Sequence, residues 1–177
     1  MNTCSHLVEF FRADERLVER VADFMEEAFA DGCACIAIVT PEHRGRIDVA
    51  LASRGLLSDE LIAAYRYIVI DARATLTSLR SAGVFDIPEF HRSLGQLISL
   101  AASGGRHVRI VGEMVTLLAR QGEGDAVIQL EEMWNDLSRE HDFSLYCVYP
   151  TDVFDAPLDA CLRQQIRALH SRELAGA

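Results

Sequence analysis

The sequence predicts a three-layer α/β fold: a mostly parallel central sheet of about five strands with helices on both faces. Three observations predict it. Short apolar runs alternate with amphipathic helical stretches along the whole chain. The runs are continuous and do not alternate polar with apolar, the pattern of strands buried on both faces. Breakers stand at the junctions, namely Asp31-Gly32, Pro41, Gly55, Gly83, Gly104-Gly105 and Pro150.

Residues 6–11, His-Leu-Val-Glu-Phe-Phe, read as a first short strand. Asp14 then suits a helix cap, and Leu17, Val18, Val21, Phe24, Met25, Ala28 and Phe29 fall on one face of the helix that follows. Gly32 is free to take the left-handed conformation that ends it. Residues 33–40, Cys-Ala-Cys-Ile-Ala-Ile-Val-Thr, form a second strand that Pro41 closes. A helix over 43–54, a strand over 67–71 and a helix over about 72–82 come next, with 55–66 a loop or an irregular helix. Pro88 opens a helix over 89–103 with Phe90, Leu94, Leu97, Ile98 and Ala101 inward. Residues 107–112 make a strand and 113–120 a short helix. Asp125 caps the next helix, with Val127, Leu130, Met133, Trp134 and Leu137 inward and Glu131, Glu132, Asp136 and Glu140 outward. A last strand covers 143–149, and the tail from about 155 to 171 is amphipathic through Leu158, Cys161, Leu162, Ile166 and Leu169. No linker or repeat divides the chain, which reads as one domain over 1–177.

Composition narrows the function classes. Half of the 177 residues are hydrophobic and a quarter charged, as in a folded globular domain. The formal net charge is −10 and the arginines are scattered, so no basic face is expected for nucleic acid. No stretch reaches the roughly 20 apolar residues of a membrane helix, and residues 1–6 lack a signal-peptide pattern. A cytoplasmic protein with no membrane partner is the expectation. Five cysteines, Cys4, Cys33, Cys35, Cys147 and Cys161, then imply free thiols.

Several pieces, in order, resemble one known family. They are His6 with Phe10-Phe11; the apolar helix ending in Asp31-Gly32; Ile38-Val39-Thr40 followed by His43-Arg44; Asp71-Ala72; Gly105-Arg106-His107-Val108-Arg109-Ile110-Val111-Gly112-Glu113-Met114; Leu130-Glu131-Glu132-Met133-Trp134-Asn135-Asp136-Leu137; and Leu145-Tyr146-Cys147-Val148-Tyr149-Pro150. Together they resemble the MEDS domain, the sensory domain named after methanogens, methylotrophs and a dichloromethane-responsive repressor. The resemblance covers about residues 4–154, leaving a C-terminal helix over about 155–171. It implies a degenerate relative of the RecA/KaiC-type ATPase core. It also implies a part in prokaryotic signal transduction, sensing a small hydrocarbon derivative and acting through a partner such as a histidine kinase or an anti-sigma pathway component. The chain departs from a working ATPase. It has no Gly-x-x-x-x-Gly-Lys-Ser/Thr, Arg12-Ala13-Asp14-Glu15 follows the first strand, and all 17 basic residues are arginine.

The candidate ligand-binding residues are His43, Arg44, Thr40, Asp71, Glu113, His6 and Asn135. In open α/β sheets ligands bind beyond the carboxyl ends of the strands. Glu113 falls there, with the alternative that it caps the next helix through the dipole. Thr40, His43, Arg44 and Asp71 stand at the ends of the second and third strands, where His and Arg suit an anionic ligand. His6 can pair with a loop or with the Trp134-Asn135 helix, and a buried Asn135 needs partners. Trp134 reads as core. Arg109, inside an apolar strand, needs a carboxylate, for which Asp71 and Glu113 are the candidates. Cys33 and Cys35 share a strand face without a second pair at ligand spacing, and Cys147 follows the same reasoning, so these are read as buried thiols and no metal site is expected. No catalytic constellation and no cofactor are expected either. The first reading is a ligand-binding sensory module, with a homodimer compatible. A protein-interaction domain without a small ligand, and an enzyme working at the carboxyl edge of the sheet, are the alternatives.

Overall fold

The computed structural model describes residues 5–12, 14–56, 59–154 and 159–174, so that Cys4, Leu158 and the capping side chain of Asp14 lie outside the described residues. The chain runs β1 (His6–Phe11), α1 (Asp14–Ala30), β2 (Ala34–Val39), α2 (Pro41–Ser53), α3 (Asp59–Ala63), β3 (Tyr67–Asp71) and α4 (Ala72–Ser78). A small hairpin, β4 (Arg80–Ser81) and β5 (Val84–Phe85), leads into α5 (Ile87–Ala101). Then follow β6 (Val108–Gly112), α6 (Met114–Arg120), α7 (Gly124–Leu137), β7 (Phe143–Pro150), a 3-10 turn (Thr151–Phe154), α8 (Asp159–Leu169) and β8 (Arg172–Leu174).

The central sheet has six strands in the order β3-β2-β6-β7-β1-β8, and every neighbouring pair is parallel. The expected α/β architecture is therefore present, with one strand more than the five predicted. The extra strand is β8, three residues that pair with Leu7, Val8 and Glu9 of β1. It is too short to give a periodic signal, and it lies just past a helix that the pattern carried to 171. The helix expected to reach 82 stops at Ser78, because Ala82 (φ 50°) and Gly83 (φ 82°) take the left-handed conformation and turn the chain into the hairpin.

Side chains alternate across the sheet with a period of two. Val8, Ile36, Ile110, Leu145 and Cys147 face one core with buried side chains of α4 to α8. Leu7, Cys35, Ala37, Tyr146 and Val148 face the other, with α1 and α2. Burying each Leu, Ile or Val contributes about 1.5–3 kcal/mol, so both layers are held mainly by apolar burial. Arg109 belongs to the α1 face. Its guanidinium pairs with Asp31 (2.7 Å) and Glu27 (3.7 Å) of the α1 end, not with Asp71 or Glu113 as expected. The cause is register: Arg109 lies opposite Cys35, on the second residue of β6, whereas Glu113 follows the strand's last residue. Among the described residues no helix is long and apolar enough to cross a membrane.

Candidate functional site

Among the described residues, most of the sequence-derived candidates gather at two places, around the buried carboxylates of Glu113 and Glu131. The first is at the carboxyl ends of β2 and β6. The chain moves outward from β2 to β3 on one side and from β6 to β7 on the other, so strand order reverses between them. Glu113, 1% exposed, stands at this switch. It occupies the cap position of α6 but makes no side-chain cap bond. Its carboxylate instead reaches across to β2, accepting from the Thr40 backbone N–H (2.6 Å) and hydrogen-bonding His43 Nδ1. Thr40 in turn caps α2, its hydroxyl accepting from the His43 N–H at 3.4 Å. Asp71 and Arg44 have separate employment. Asp71 caps α4 through the N–H groups of Arg73 (2.7 Å) and Ala74 (3.2 Å), and exposed Arg44 lies 3.6 Å from Asp48 on its own helix.

The second is buried between β1, β7, α7 and the segment after α8. Its hub is Glu131, wholly buried. Oε2 lies 3.1 Å from His6 Nε2 and accepts from the Cys147 thiol at 3.4 Å. Oε1 accepts from the Tyr149 hydroxyl at 2.5 Å and lies 3.5 Å from His170 Nε2. His6 Nε2 and Cys147 Sγ are 3.4 Å apart. The other ring nitrogens point outward. Asn135 donates its Nδ2 to the Leu169 carbonyl (3.0 Å), which turns its Oδ1 toward His6 Nδ1 at 3.0 Å. His170 Nδ1 donates to the Ile166 carbonyl at 2.6 Å. These outer contacts fix the orientation of both rings and aim both Nε2 atoms at Glu131. Ser171 locks the arrangement, since its N–H donates to the His6 carbonyl (2.8 Å) and its hydroxyl accepts from the His6 N–H (2.9 Å).

Charge at this hub is set by burial and by its bonds. Burial pushes the Glu131 carboxyl up, but the His6 hydrogen bond first, then the neighbouring His170 and His6 rings and the Tyr149 hydroxyl, outweigh it and hold the group below the ordinary carboxyl value. Burial lowers His170 and keeps it neutral. Burial, and then the negative Glu131, push the Cys147 thiol and Tyr149 hydroxyl well above their ordinary values. Beside the hub opens a cavity of about 330 Å³, bounded by His6, Asn135 and His170 on one side and by Trp134, Leu145 and Leu169 on the other.

A family model, MEDS, the MEthanogen/methylotroph, DcmR Sensory domain, matches residues 5–170. The chain belongs to the MEDS family. No curated protein matches it. MEDS is a sensory domain family, which supports a sensory role for this chain. The match extends beyond the 4–154 of the resemblance and takes in α8 and all of His6, Glu131, Cys147 and His170.

The seven ligand-binding candidates thus divide within the MEDS domain. Thr40, His43 and Glu113 meet at the switch point, His6 and Asn135 join the Glu131 hub, and Asp71 and Arg44 serve their own helices. Sequence reasoning missed Glu131, Cys147, Tyr149 and His170. Glu131, expected to face outward, is a correction. It lies four residues after Val127 and three before Trp134, on the same buried stripe of α7. That spacing was the available signal. Cys147 sits on the opposite sheet face from Cys33 and Cys35, so it does not share their environment.

Proposed function

We propose that this MEDS domain is a ligand-binding sensory module. Its ligand, a small hydrocarbon derivative, occupies the cavity beside His6, Asn135 and His170, and the bound state is read by a protein partner. The observation that carries the reading is this juxtaposition of an apolar wall with convergent polar groups. At about 330 Å³ the cavity stands at the small end of ligand pockets. Trp134, Leu145 and Leu169 offer apolar contact, while the Asn135 amide, which keeps one N–H and one lone pair beyond its bonds to Leu169 and His6, orients a polar end. The cavity wall joins β1, α7 and the segment after α8, so a ligand there bears on how the C-terminal segment is held. A histidine kinase or an anti-sigma pathway protein is the class of partner the family resemblance favours. The doubly wound parallel sheet supports kinship with RecA/KaiC-type cores, and the glycine-free stretch after β1 supports a core that no longer cradles phosphate. The reading assigns no reaction.

The test is a thermal-shift screen of the purified protein against small hydrocarbons, halomethanes, short alcohols and acids, and nucleotides. A ligand of the folded state adds about 2.7 kcal/mol at a hundred times its dissociation constant. A shift with one organic class that disappears in Leu169→Trp, which fills the cavity, supports the reading. No shift with any organic class, or a shift indifferent to Leu169→Trp, sinks it. A second site is favoured by the strand-order reversal at Glu113. A shift lost in Glu113→Gln and kept in Leu169→Trp places the ligand there.

A further inference from the structure

The geometry points to a divalent transition-metal site of the zinc class, formed by His6 Nε2, His170 Nε2, the Glu131 carboxylate and the Cys147 sulfur. One potential ligand atom from each of the four residues lies within 4.8 Å of all the others. The recorded separations of 3.1, 3.4, 3.4 and 3.5 Å can be compared with a tetrahedral shell. Bonds of about 2.0–2.1 Å to N or O and about 2.3 Å to S give ligand–ligand edges of about 3.3–3.6 Å. His6 Nε2, Cys147 Sγ and Glu131 Oε2 therefore have the edge lengths of one face of such a shell, while His170 Nε2 stands 3.5 Å from the other carboxylate oxygen and closes the group within 4.8 Å.

Proton counting gives the second argument. With Nδ1 of each imidazole committed to an outer oxygen, the centre gathers two ring lone pairs and a carboxylate around two donors, the Cys147 thiol and the Tyr149 hydroxyl. Protonating His6 on Nε2 relieves part of this. His170 Nε2 still makes no hydrogen bond, although its side chain is completely buried and aimed at Glu131. A buried lone pair without a donor has lost its water and gained nothing in return. A cation takes up both ring lone pairs, the carboxylate and the thiolate together, with the thiol proton leaving to solvent.

The outer contacts are also those of a metal shell. Metal-ligating histidines almost always give their other N–H to a carbonyl or carboxylate. Here the Asn135 amide oxygen and the Ile166 carbonyl fill that role, and the Tyr149 hydroxyl orients Glu131. The mixed nitrogen, oxygen and sulfur set suits zinc and excludes magnesium or calcium, which want oxygen alone. Four protein donors close the shell, so the ion acts as a staple. It ties β1, α7 and β7 to the segment that carries β8. This site adds to the sensory reading and does not rest on it.

The test is a titration of untagged, chelator-stripped full-length protein with Co(II), followed by Zn(II). One equivalent of Co(II) is expected, with a thiolate-to-cobalt charge-transfer band, ligand-field bands of tetrahedral intensity, and displacement by Zn(II). In Cys147→Ser the charge-transfer band disappears. In His170→Gln affinity falls more than tenfold, and in Asn135→Ala, an outer-contact change, by about 10–100-fold. Wild-type protein that is folded by circular dichroism yet takes up no stoichiometric metal overturns the proposal. So does a Cys147→Ser/His170→Gln double variant that binds as wild type does. The organic-ligand screen and this titration fail independently.

Discussion

Tyr149→Phe isolates the Glu131 hub, because it removes one hydroxyl and leaves the ring packing untouched. Tyr149 is fully buried, stacked on Phe10 with ring centroids 5.6 Å apart, and its hydroxyl donates to Glu131 Oε1 at 2.5 Å. In the variant Oε1 keeps only His170 Nε2 at 3.5 Å, a nitrogen whose ring proton is on the other side. A hydrogen bond to a charged group contributes about 1.5–3 kcal/mol. For a chain of this length each kcal/mol moves the midpoint by about 2–4 °C, so a drop of about 3–12 °C is expected at pH 7. Tyr67→Phe is the matched control. Its hydroxyl donates to Asp48 at 2.8 Å, but that carboxylate is 28% exposed, and the loss should be about 1 kcal/mol or less. The pH dependence follows from linkage. The folded Glu131 pKa lies below the ordinary 4.5, so its stabilisation is present above that value and is lost as pH falls through the folded one. The gap between wild type and Tyr149→Phe should therefore close in acid. Urea unfolding and differential scanning calorimetry at pH 7 and at steps downward through the acid range measure both effects. A variant as stable as wild type at pH 7 would show that Glu131 is neutral there, and the charge assignment of the hub would be wrong.

His170 carries a second pH prediction. Its folded pKa is lowered from 6.5, so the unfolded chain takes the proton first and stability falls as pH drops below 6.5. His170→Gln should flatten the pH 7.5 to 5.5 part of a urea-midpoint profile measured on metal-free protein. Glu113→Gln replaces the acceptor of the Thr40 N–H and His43 with a neutral amide. It should cost about 1–3 kcal/mol in denaturant unfolding and shift the Thr40 amide resonance strongly, and an unmoved resonance would refute the bond. Arg54 holds Glu19, Asp23 and Glu26 of α1 at 2.7, 2.8 and 2.9 Å, but those carboxylates are half-exposed or more. Arg54→Gln should cost about 1 kcal/mol or less at low salt, and the difference should fade in 1 M salt.

The layers were legible in the sequence because each element carries its own periodicity. The run 33–40 declares a strand buried on both faces without help from elsewhere, and α1 shows its stripe from Leu17 to Ala28. The pair Thr40 and Glu113 was legible for a similar reason: each follows its own strand, and parallel neighbours bring such ends together. The Glu131 hub has a different origin. It needs the β1/β7 register that sets His6 opposite Leu145 and Val8 opposite Cys147, and it needs β8 to bring the tail back beside β1. Pairing between residues 6 and 145 leaves no local trace, and a three-residue strand leaves almost none. What the chain did carry was one carboxylate on the wrong side of a helix, Glu131 between Val127 and Trp134. Its charge was read as a sign of solvent, yet its spacing places it in the core. A charge in the core must be met by hydrogen bonds, a partner or a metal. Glu131 at a stripe position, His6 at the foot of a strand and Cys147 in an apolar one therefore called for one another before any register was known.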